Sequence, residues 1–269
     1  MDHDTEAASR RLAEALRGIE GAIAVAVSGG IDSLTLATFA HAERDEVNVF
    51  HAVSPAVPGD ATARVERLAA RQGWQLRVIE AGEFDDANYM ANPTNRCFFC
   101  KTNLYGAVAA RTTSQILSGT NTDDLGEYRP GLDAARDHAV RHPYVEAGID
   151  KPTVRALAAG LGLGALSDLP SAPCLSSRIE TGIRIEAPVL AMVHAAEKLV
   201  TASLAPRTVR CRVRAQGVVI ELDPAALSAL DTAGPLREEL QSLAAAAGLS
   251  VPIAFAPYRT GSAFLRAPT

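Results

Sequence analysis

Cysteine, excess positive charge and long apolar runs are all scarce in this sequence. Four cysteines in 269 residues are too few for a disulfide framework. The 26 Lys and Arg residues are outnumbered by 31 Asp and Glu, and the net charge of −5 excludes a strongly cationic surface for nucleic acid. No stretch reaches the roughly 18 apolar residues of a membrane span, and the acidic first residues lack the pattern of a secretory signal. We therefore expect a cytoplasmic protein with reduced thiols and neither a membrane nor a nucleic-acid partner.

Hydrophobic residues make up 48% of the chain, enough for a packed core, and their pattern changes along the sequence. Up to about residue 180, short apolar runs alternate with amphipathic segments, which is typical of a doubly wound parallel α/β sheet. Beyond that point the pattern predicts a small α+β domain, so we expect domains at 1–180 and 181–269. The predicted strands of the first domain are 23–27, 47–53, 75–79 and 115–118, and its helices are 5–18, 33–43, 60–72, 101–111 and 152–161.

A phosphate-binding loop is predicted after the first strand, in Ser28-Gly-Gly-Ile-Asp-Ser33. Gly29 and Gly30 let the backbone approach an anion, and the helix that follows offers N–H groups at its positive end. Ser28 and Ser33 add hydroxyl donors, whereas Asp32 suits a Mg²⁺ ion between itself and phosphate, or a helix cap. The loop lacks the Gly-Lys-Ser/Thr ending of a Walker motif. It resembles the PP-loop of ATP pyrophosphatases, with a plain strand-to-helix turn as the alternative.

Two further segments suit the same nucleotide site. Gly119, Thr120 and Asp124 follow the fourth strand, at the sheet edge where such folds bind ligands. Lys151 begins a predicted helix and resembles the second lysine motif of PP-loop enzymes, where it would contact the α-phosphate. The alternative for Lys151 is a solvated helix face.

The cysteines predict a metal or cluster site. Cys97 and Cys100 form a Cys-x-x-Cys pair, placed here in a loop before a helix, and Cys174 lies far along the chain. Three thiolates can hold three irons of a [4Fe–4S] cluster and leave the fourth iron open, whereas all four cysteines would suit zinc. Because Cys211 alternates with arginines on a predicted strand, we expect it to be a core residue. A chance buried pair is the alternative for Cys97 and Cys100.

Arginine is concentrated in the second domain, in Thr208-Val-Arg210-Cys-Arg212-Val-Arg214. Arginines at alternate positions share one side of a strand, and guanidinium groups suit phosphate or carboxylate. The segment therefore predicts a pocket for a multiply anionic small molecule. The alternative is a strand face neutralised by nearby acids, with Glu197 and Glu221 as the candidates.

Taken together, these motifs resemble the LarE family of ATP-dependent sulfur transferases along nearly the whole chain. The most discriminating shared segments are Asp124-Leu-Gly-Glu-Tyr-Arg-Pro-Gly-Leu132, Ser176-Ser-Arg178, Ala196-Glu-Lys198, Thr208-Val-Arg210 and Tyr258-Arg-Thr-Gly-Ser262. The resemblance implies that ATP and Mg²⁺ adenylate a carboxylate of pyridinium-3,5-biscarboxylic acid mononucleotide, a step in the biosynthesis of the nickel-pincer nucleotide cofactor. A sulfur nucleophile then displaces AMP and leaves a thiocarboxylate.

The resemblance also implies roles for individual residues. Val53 joins the ATP-binding residues, and Arg178 and Glu197 join the three cysteines in catalysis. Implied substrate-binding residues are Tyr128, Arg129, Ser177, Arg178, Arg210, Arg212 and Arg259.

Two routes of sulfur delivery exist in this family. One cysteine can give up its own sulfur, or three cysteines can hold a [4Fe–4S] cluster that passes on sulfide. The three cysteines here favour the cluster route, with sulfide or another sulfur donor as partner. The resemblance also implies a homo-oligomer.

Other functions fit part of the pattern. A PP-loop tRNA thiolase can use the same cysteine arrangement, but the acidic charge and the lack of a basic RNA-binding extension oppose it. An amide-forming synthetase would leave the three cysteines unexplained. A noncatalytic nucleotide- or cluster-binding protein is the alternative outside the enzymes.

Overall fold

The computed structural model describes residues 3–126, 129–167, 173–230 and 234–264, and the chain divides into two compact units. Unit 1 comprises Met1–Glu83 and Cys97–Ala172, and unit 2 comprises Phe84–Arg96 and Pro173–Thr269. The sequence prediction divided the chain at residue 181 and did not assign 84–96 to the second part. Within the described ranges, no helix combines the length and apolar character needed to cross a membrane.

The helices and strands follow the predicted alternation closely. In unit 1 they are α1 (His3–Arg17), β1 (Ile23–Val27), α2 (Ile31–Glu43), β2 (Val47–Val53), α3 (Gly59–Gln72) and β3 (Gln75–Glu80). The chain then enters unit 2 for α4 (Ala87–Met90). It continues with α5 (Arg96–Ala109), β4 (Gln115–Ser118), α6 (Gly131–Asp137), α7 (Pro143–Glu146) and α8 (Lys151–Gly160). Unit 2 continues with α9 (Ala187–Leu204), β5 (Val209–Arg214), β6 (Gly217–Leu222), α10 (Pro224–Ser228), α11 (Pro235–Ala246) and β7 (Ile253–Pro257).

The sheet of unit 1 is parallel and has the order β3-β2-β1-β4. Both of its faces are covered, which explains why β1 and β2 are nearly continuous apolar runs. One face packs against α1, α2, α3 and α8, through side chains such as Leu12, Leu34 and Leu157. The other face packs against α5 and α6, through Tyr105 and Ala135. The predicted doubly wound α/β fold is therefore confirmed.

Unit 2 is built on a smaller mixed sheet with the order β5-β6-β7. β5 and β6 form an antiparallel hairpin, and β7 pairs parallel to β6. The helix α9 covers β5, and the buried Asn92 ties the segment before α5 into this unit. Its Nδ2 donates to the carbonyls of Glu180 and Ile183, each at 2.9 Å.

The main departure from the predicted elements concerns the Cys-x-x-Cys segment. The prediction of a loop there was wrong, because α5 begins at Arg96 and contains both cysteines. Nothing between Arg96 and Lys101 breaks a helix, since the nearest proline is Pro93. The short helices α4, α6 and α7 were not predicted either, because segments of four to seven residues carry too few apolar positions to show a period.

Candidate functional site

The loop between β1 and α2 is folded around its two serine hydroxyls. The Ser28 N–H donates to Ser33 Oγ at 3.1 Å, and Ser33 Oγ donates to the Gly30 carbonyl at 3.2 Å. Gly29 has a φ of +82°, which favours glycine. Gly30 is the N-cap of α2, and no side chain hydrogen-bonds there as a cap. The first N–H groups of α2 therefore remain available to an anion.

The carboxyl end of β4 presses directly on this loop. A Cβ atom on Gly119 would lie 2.8 Å from the Ser33 nitrogen and 2.9 Å from the Asp32 carbonyl carbon. Only glycine fits this approach, so the two segments that the sequence analysis assigned to one nucleotide site do lie side by side.

Asp32 and Lys151 form an ion pair at the start of α2. The Lys151 Nζ lies 2.6 Å from Asp32 Oδ1 and 2.5 Å from Oδ2, and both side chains are partly exposed. Asn121 Nδ2 also donates to Asp32 Oδ1, at 3.4 Å. The lysine thus neutralises the carboxylate that the sequence analysis predicts to meet Mg²⁺.

The other predicted nucleotide residues lie around the same edge of the sheet. Thr120 Oγ1 is 3.0 Å from Ser118 Oγ, and Val53 ends β2 as a half-buried side chain. Asp124 Oδ2 accepts the Asn121 N–H at 3.1 Å, and its Oδ1 lies 2.9 Å from Arg129. These contacts hold the segment after β4 in shape. Tyr128, predicted to bind substrate, lies outside the described residues.

Several polar contacts to the loop come from residues that the sequence analysis missed. Tyr144 donates its hydroxyl to the Asp32 carbonyl at 3.1 Å, and burial raises the pKa of this tyrosine well above its ordinary value, so it stays a donor. Arg64 Nη1 donates to the Gly29 carbonyl at 2.8 Å. Neither residue belongs to a recognisable motif, because each reaches the loop from a distant segment. Asn121 did carry a signal, since it lies between Gly119 and Asp124.

The cysteines belong to both units. Cys97 and Cys100 lie three residues apart on α5, so they share one helix face; Cys97 is exposed and Cys100 half-buried. Cys174, in unit 2, is half-buried and precedes a short 3₁₀ turn at Leu175–Arg178. The described part of either unit contains no group of three His, Cys, Asp or Glu side chains arranged for a metal ion. Two thiols suit a shared thiophilic group, and the three-cysteine cluster stays a prediction.

Arg178 fixes the backbone around Cys174. This buried guanidinium donates through Nε and Nη2 to the two Glu197 oxygens, at 2.9 and 3.0 Å. Its Nη1 donates to the carbonyls of Pro173 and Cys174, at 2.6 and 3.2 Å. The predicted catalytic residues of unit 2 are thus brought together, with the charge on Arg178 balanced by Glu197.

The arginines of β5 are arranged around a second buried carboxylate. Arg212 lies 3.2 Å and Arg214 2.8 Å from Glu221, which also accepts a hydrogen bond from Ser262 at 2.6 Å. Arg212 Nη1 also donates to the Ser177 carbonyl at 3.0 Å. Glu221, which the sequence analysis names as an alternative partner, therefore contacts two of the three strand arginines and balances one of their two positive charges.

Arg210 has a different environment from its two neighbours on β5. Its guanidinium lies 5.9 Å from the centre of the Tyr258 ring, an arrangement that suits a cation–π contact. Burial, followed by the nearby charge of Arg178, lowers the pKa of Arg210 from its ordinary value. The surroundings of Arg210 therefore disfavour its charge, mainly because the side chain is partly buried. The side chain of Arg259 is exposed.

Cys211 lies in the core of unit 2. It is fully buried, which raises the pKa of its thiol, and its N–H donates to Glu197 Oε1 at 3.0 Å. A thiol that resists ionisation is a poor nucleophile and a poor metal ligand. The expectation of a core cysteine is confirmed.

Comparison with known proteins identifies relatives that cover most of the chain. No family model matches it. A protein of Lactiplantibacillus plantarum named pyridinium-3,5-bisthiocarboxylic acid mononucleotide synthase is 31% identical over 209 residues, which are 76% of this chain and 75% of that protein. The chain belongs to the family of this synthase, the LarE family. The resemblance inferred from the sequence motifs is therefore confirmed.

Two further relatives of this chain are named only as uncharacterized proteins. An uncharacterized protein of Synechocystis sp. is 35% identical over 205 residues, covering 74% of this chain and 76% of the relative. An uncharacterized protein of Methanocaldococcus jannaschii is 26% identical over 162 residues, covering 59% of this chain and 61% of the relative.

Proposed function

We propose that the chain is an ATP-dependent sulfur transferase that converts a carboxylate of pyridinium-3,5-biscarboxylic acid mononucleotide into a thiocarboxylate. The products would include AMP and pyrophosphate. Membership of the LarE family supports the sulfur transfer. The observation that carries the ATP-dependent step is the loop from Ser28 to Ser33, which opens α2 with an uncapped N-terminus at the carboxyl end of β1.

Adenylation explains why such a reaction would need ATP. A carboxylate is a poor electrophile, so one of its oxygens attacks the α-phosphorus of ATP and pyrophosphate leaves. A sulfur nucleophile then adds to the carbonyl carbon, and AMP departs with the oxygen that formed the bond. The carboxyl carbon exchanges one oxygen for one sulfur, and no electrons are gained or lost.

In this proposal the residues of unit 1 hold the triphosphate. The N–H groups at the start of α2 bind the β- and γ-phosphates, with the Ser28 and Ser33 hydroxyls as additional donors. Asp32 is the carboxylate offered to Mg²⁺, which supplies positive charge against the phosphates when bound. Lys151 then exchanges Asp32 for the α-phosphate, a change that its partly exposed ion pair permits.

Unit 2 is proposed to bind the substrate mononucleotide. Its phosphate and carboxylates are anionic, and the half-buried Arg210 carries a charge that its surroundings disfavour. An arriving anion would relieve that cost. Arg178 and Arg212 already have buried carboxylate partners, so their main contribution is to shape the site and to hold Cys174.

The source of the sulfur is a separate part of the proposal. We infer that Cys97, Cys100 and Cys174 would hold a [4Fe–4S] cluster, which would supply sulfide when bound; the sequence resemblance and the donor chemistry of the three thiols support this. The sacrificial use of one cysteine is the alternative. The proposal includes a cytoplasmic location and a homo-oligomeric state, the latter measurable by analytical ultracentrifugation.

The decisive experiment is a stoichiometry measurement under anaerobic conditions. The full chain is incubated with ATP, Mg²⁺, sulfide and the biscarboxylic mononucleotide, and products are quantified by mass spectrometry. We expect one AMP and one pyrophosphate per thiocarboxylate formed. Thiocarboxylate without AMP would contradict adenylation, and no product at all would contradict the proposed substrate. A protein that becomes lighter by one H₂S per turnover would replace the cluster route by the sacrificial one.

A further inference from the structure

The N-terminal half of α3 is in direct contact with the phosphate loop. A Cβ atom on Gly29 would lie 2.9 Å from the Ala61 carbonyl oxygen and 3.0 Å from the Ala61 Cβ. The loop is therefore packed directly against α3 at Gly29. Neither the loop motif nor the predicted helix over 60–72 anticipates this contact.

Arg64 adds a directional contact to this packing. Its guanidinium donates to the Gly29 carbonyl oxygen at 2.8 Å, and the side chain is half-buried. A carbonyl oxygen that pointed toward a bound phosphate would repel it. By holding this oxygen toward α3, Arg64 keeps the partial negative charge of the Gly29–Gly30 peptide away from the anion.

His51 connects the same helix to the end of β1. The imidazole is fully buried, with Nδ1 2.9 Å from the Val27 carbonyl and Nε2 2.9 Å from Thr62 Oγ1. Because a carbonyl can only accept, Nδ1 carries the proton and the Thr62 hydroxyl donates to Nε2. His51 thereby ties the last residue of β1 to the first turn of α3.

We propose that α3 positions the phosphate loop for the pyrophosphate part of ATP, with Arg64 and the Thr62–His51 pair as positioning residues. The inference rests on the proposed function, because it assumes that the loop binds ATP. It adds positioning residues that lie outside the Ser28–Ser33 motif. These residues act on the conformation of the loop and affect the ligand only through the loop. Loss of either contact releases the Gly29 peptide and weakens binding of the β- and γ-phosphates.

The test compares three ligands on the full chain by isothermal titration calorimetry. ATP and inorganic pyrophosphate, each with Mg²⁺, report on the loop, whereas AMP lacks the β- and γ-phosphates. Arg64→Met removes the donor, Arg64→Gln keeps an uncharged donor, and Arg64→Lys keeps the charge. Arg67→Met is the control, since Arg67 is exposed on the same helix.

We expect Arg64→Met to weaken ATP and pyrophosphate binding about tenfold or more, the loss of one hydrogen bond to a charged group. AMP binding stays unchanged, Arg64→Gln recovers part of the loss, and Arg67→Met binds like wild type. Equal binding of pyrophosphate by Arg64→Met and wild type would overturn the inference. A second result would also overturn it: Arg64→Lys binds pyrophosphate with wild-type affinity while Arg64→Gln loses as much affinity as Arg64→Met. That result would mean that the charge of residue 64 contacts the ligand directly.

Thr62 provides a second pair of variants in case Arg64→Met does not fold. Thr62→Val removes the hydroxyl at nearly constant shape, and Thr62→Ser retains it. We expect weaker pyrophosphate binding in Thr62→Val and restored binding in Thr62→Ser; equal binding in both would overturn the role of the Thr62–His51 pair. A wild-type protein that binds neither ATP nor pyrophosphate would overturn the proposed function, whereas wild-type binding unaffected by all these variants would overturn this inference alone.

Discussion

The two units hold their charged side chains in different ways. In unit 1, the side chains of the Lys151–Asp32 pair at the phosphate loop are 29% and 27% exposed, so solvent or ligand can reach both partners. In unit 2, those of Arg212 and Glu221 are only 5% and 2% exposed. A pair open to solvent can exchange partners at small cost, whereas a buried pair cannot separate without leaving an uncompensated charge. The Lys151–Asp32 pair is therefore free to exchange partners as the proposed function requires, whereas the Arg212–Glu221 pair is a fixed part of the structure of unit 2.

The largest expected effect is the loss of the buried carboxylate in unit 2. Glu221→Gln leaves Arg212 and Arg214 without their anion, and we expect the free energy of unfolding to fall by about 3–5 kcal/mol. Urea unfolding measures it. Glu146→Gln is the control, because its pair with Arg141 is partly exposed and removing it should cost about 1 kcal/mol or less. Equal losses in the two variants would break the comparison.

The second largest effect is expected at the partly exposed Lys151–Asp32 ion pair. Asp32→Asn should reduce pyrophosphate release about 100-fold or more, since it removes the carboxylate that would hold Mg²⁺ against the phosphates. Its free energy of unfolding should change by about 1 kcal/mol or less. Asp133→Asn is the control, because it removes the exposed Asp133–Arg136 ion pair of α6 and should leave pyrophosphate release unchanged. Full pyrophosphate release by Asp32→Asn would remove unit 1 from the proposed chemistry.

A smaller effect is expected from glycine-to-alanine substitutions, which distinguish backbone strain at a glycine from steric contact with α3. Gly29 and Gly73 both have positive φ, but only at Gly29 would a Cβ meet a neighbouring backbone, at 2.9 Å. Gly73→Ala should therefore cost about 1 kcal/mol and Gly29→Ala about 1–3 kcal/mol. Only Gly29→Ala should also weaken ATP binding. Identical stability and binding in both variants would show that α3 does not constrain the loop.

The smallest effect is a dependence on pH that belongs to unit 1. Burial lowers the pKa of His41, His51 and His142, all in this unit, from the ordinary value of 6.5. Protonation is then easier in the unfolded chain, so unit 1 loses stability as the pH falls below about 6.5 and keeps it above. Hydrogen exchange between pH 5 and 8 checks this. Protection in unit 1 that rises on acidification would contradict the direction.

Much of the fold could be predicted from the sequence because strands covered on both faces leave continuous apolar runs. Ile23–Val27 and Gln115–Ser118 were placed at their observed bounds. The loop from Ser28 to Ser33 was visible in the sequence for a related reason, since its glycines and serines lie next to one another along the chain. Short helices without an apolar period, such as α6, left no comparable signal.

The contacts that complete the site could not be predicted in the same way. Arg64 and Tyr144 reach the loop from separate segments, and Thr62 contacts His51, which in turn contacts the Val27 carbonyl at the end of β1. Only the packed chain brings these side chains together. The assignment of acids to arginines also depends on packing: Glu221 contacts two of the strand arginines, whereas Glu197 contacts Arg178. A sequence indicates which charges are available and leaves their pairing to the tertiary structure.

Adenylation of the substrate is the central claim, and the transfer of an oxygen isotope tests it most directly. The biscarboxylic mononucleotide is labelled with ¹⁸O in its carboxylates and allowed to react once with ATP, Mg²⁺ and sulfide. The account predicts that one ¹⁸O per thiocarboxylate appears in the phosphate of AMP. Unlabelled AMP, or label found in pyrophosphate, would contradict it.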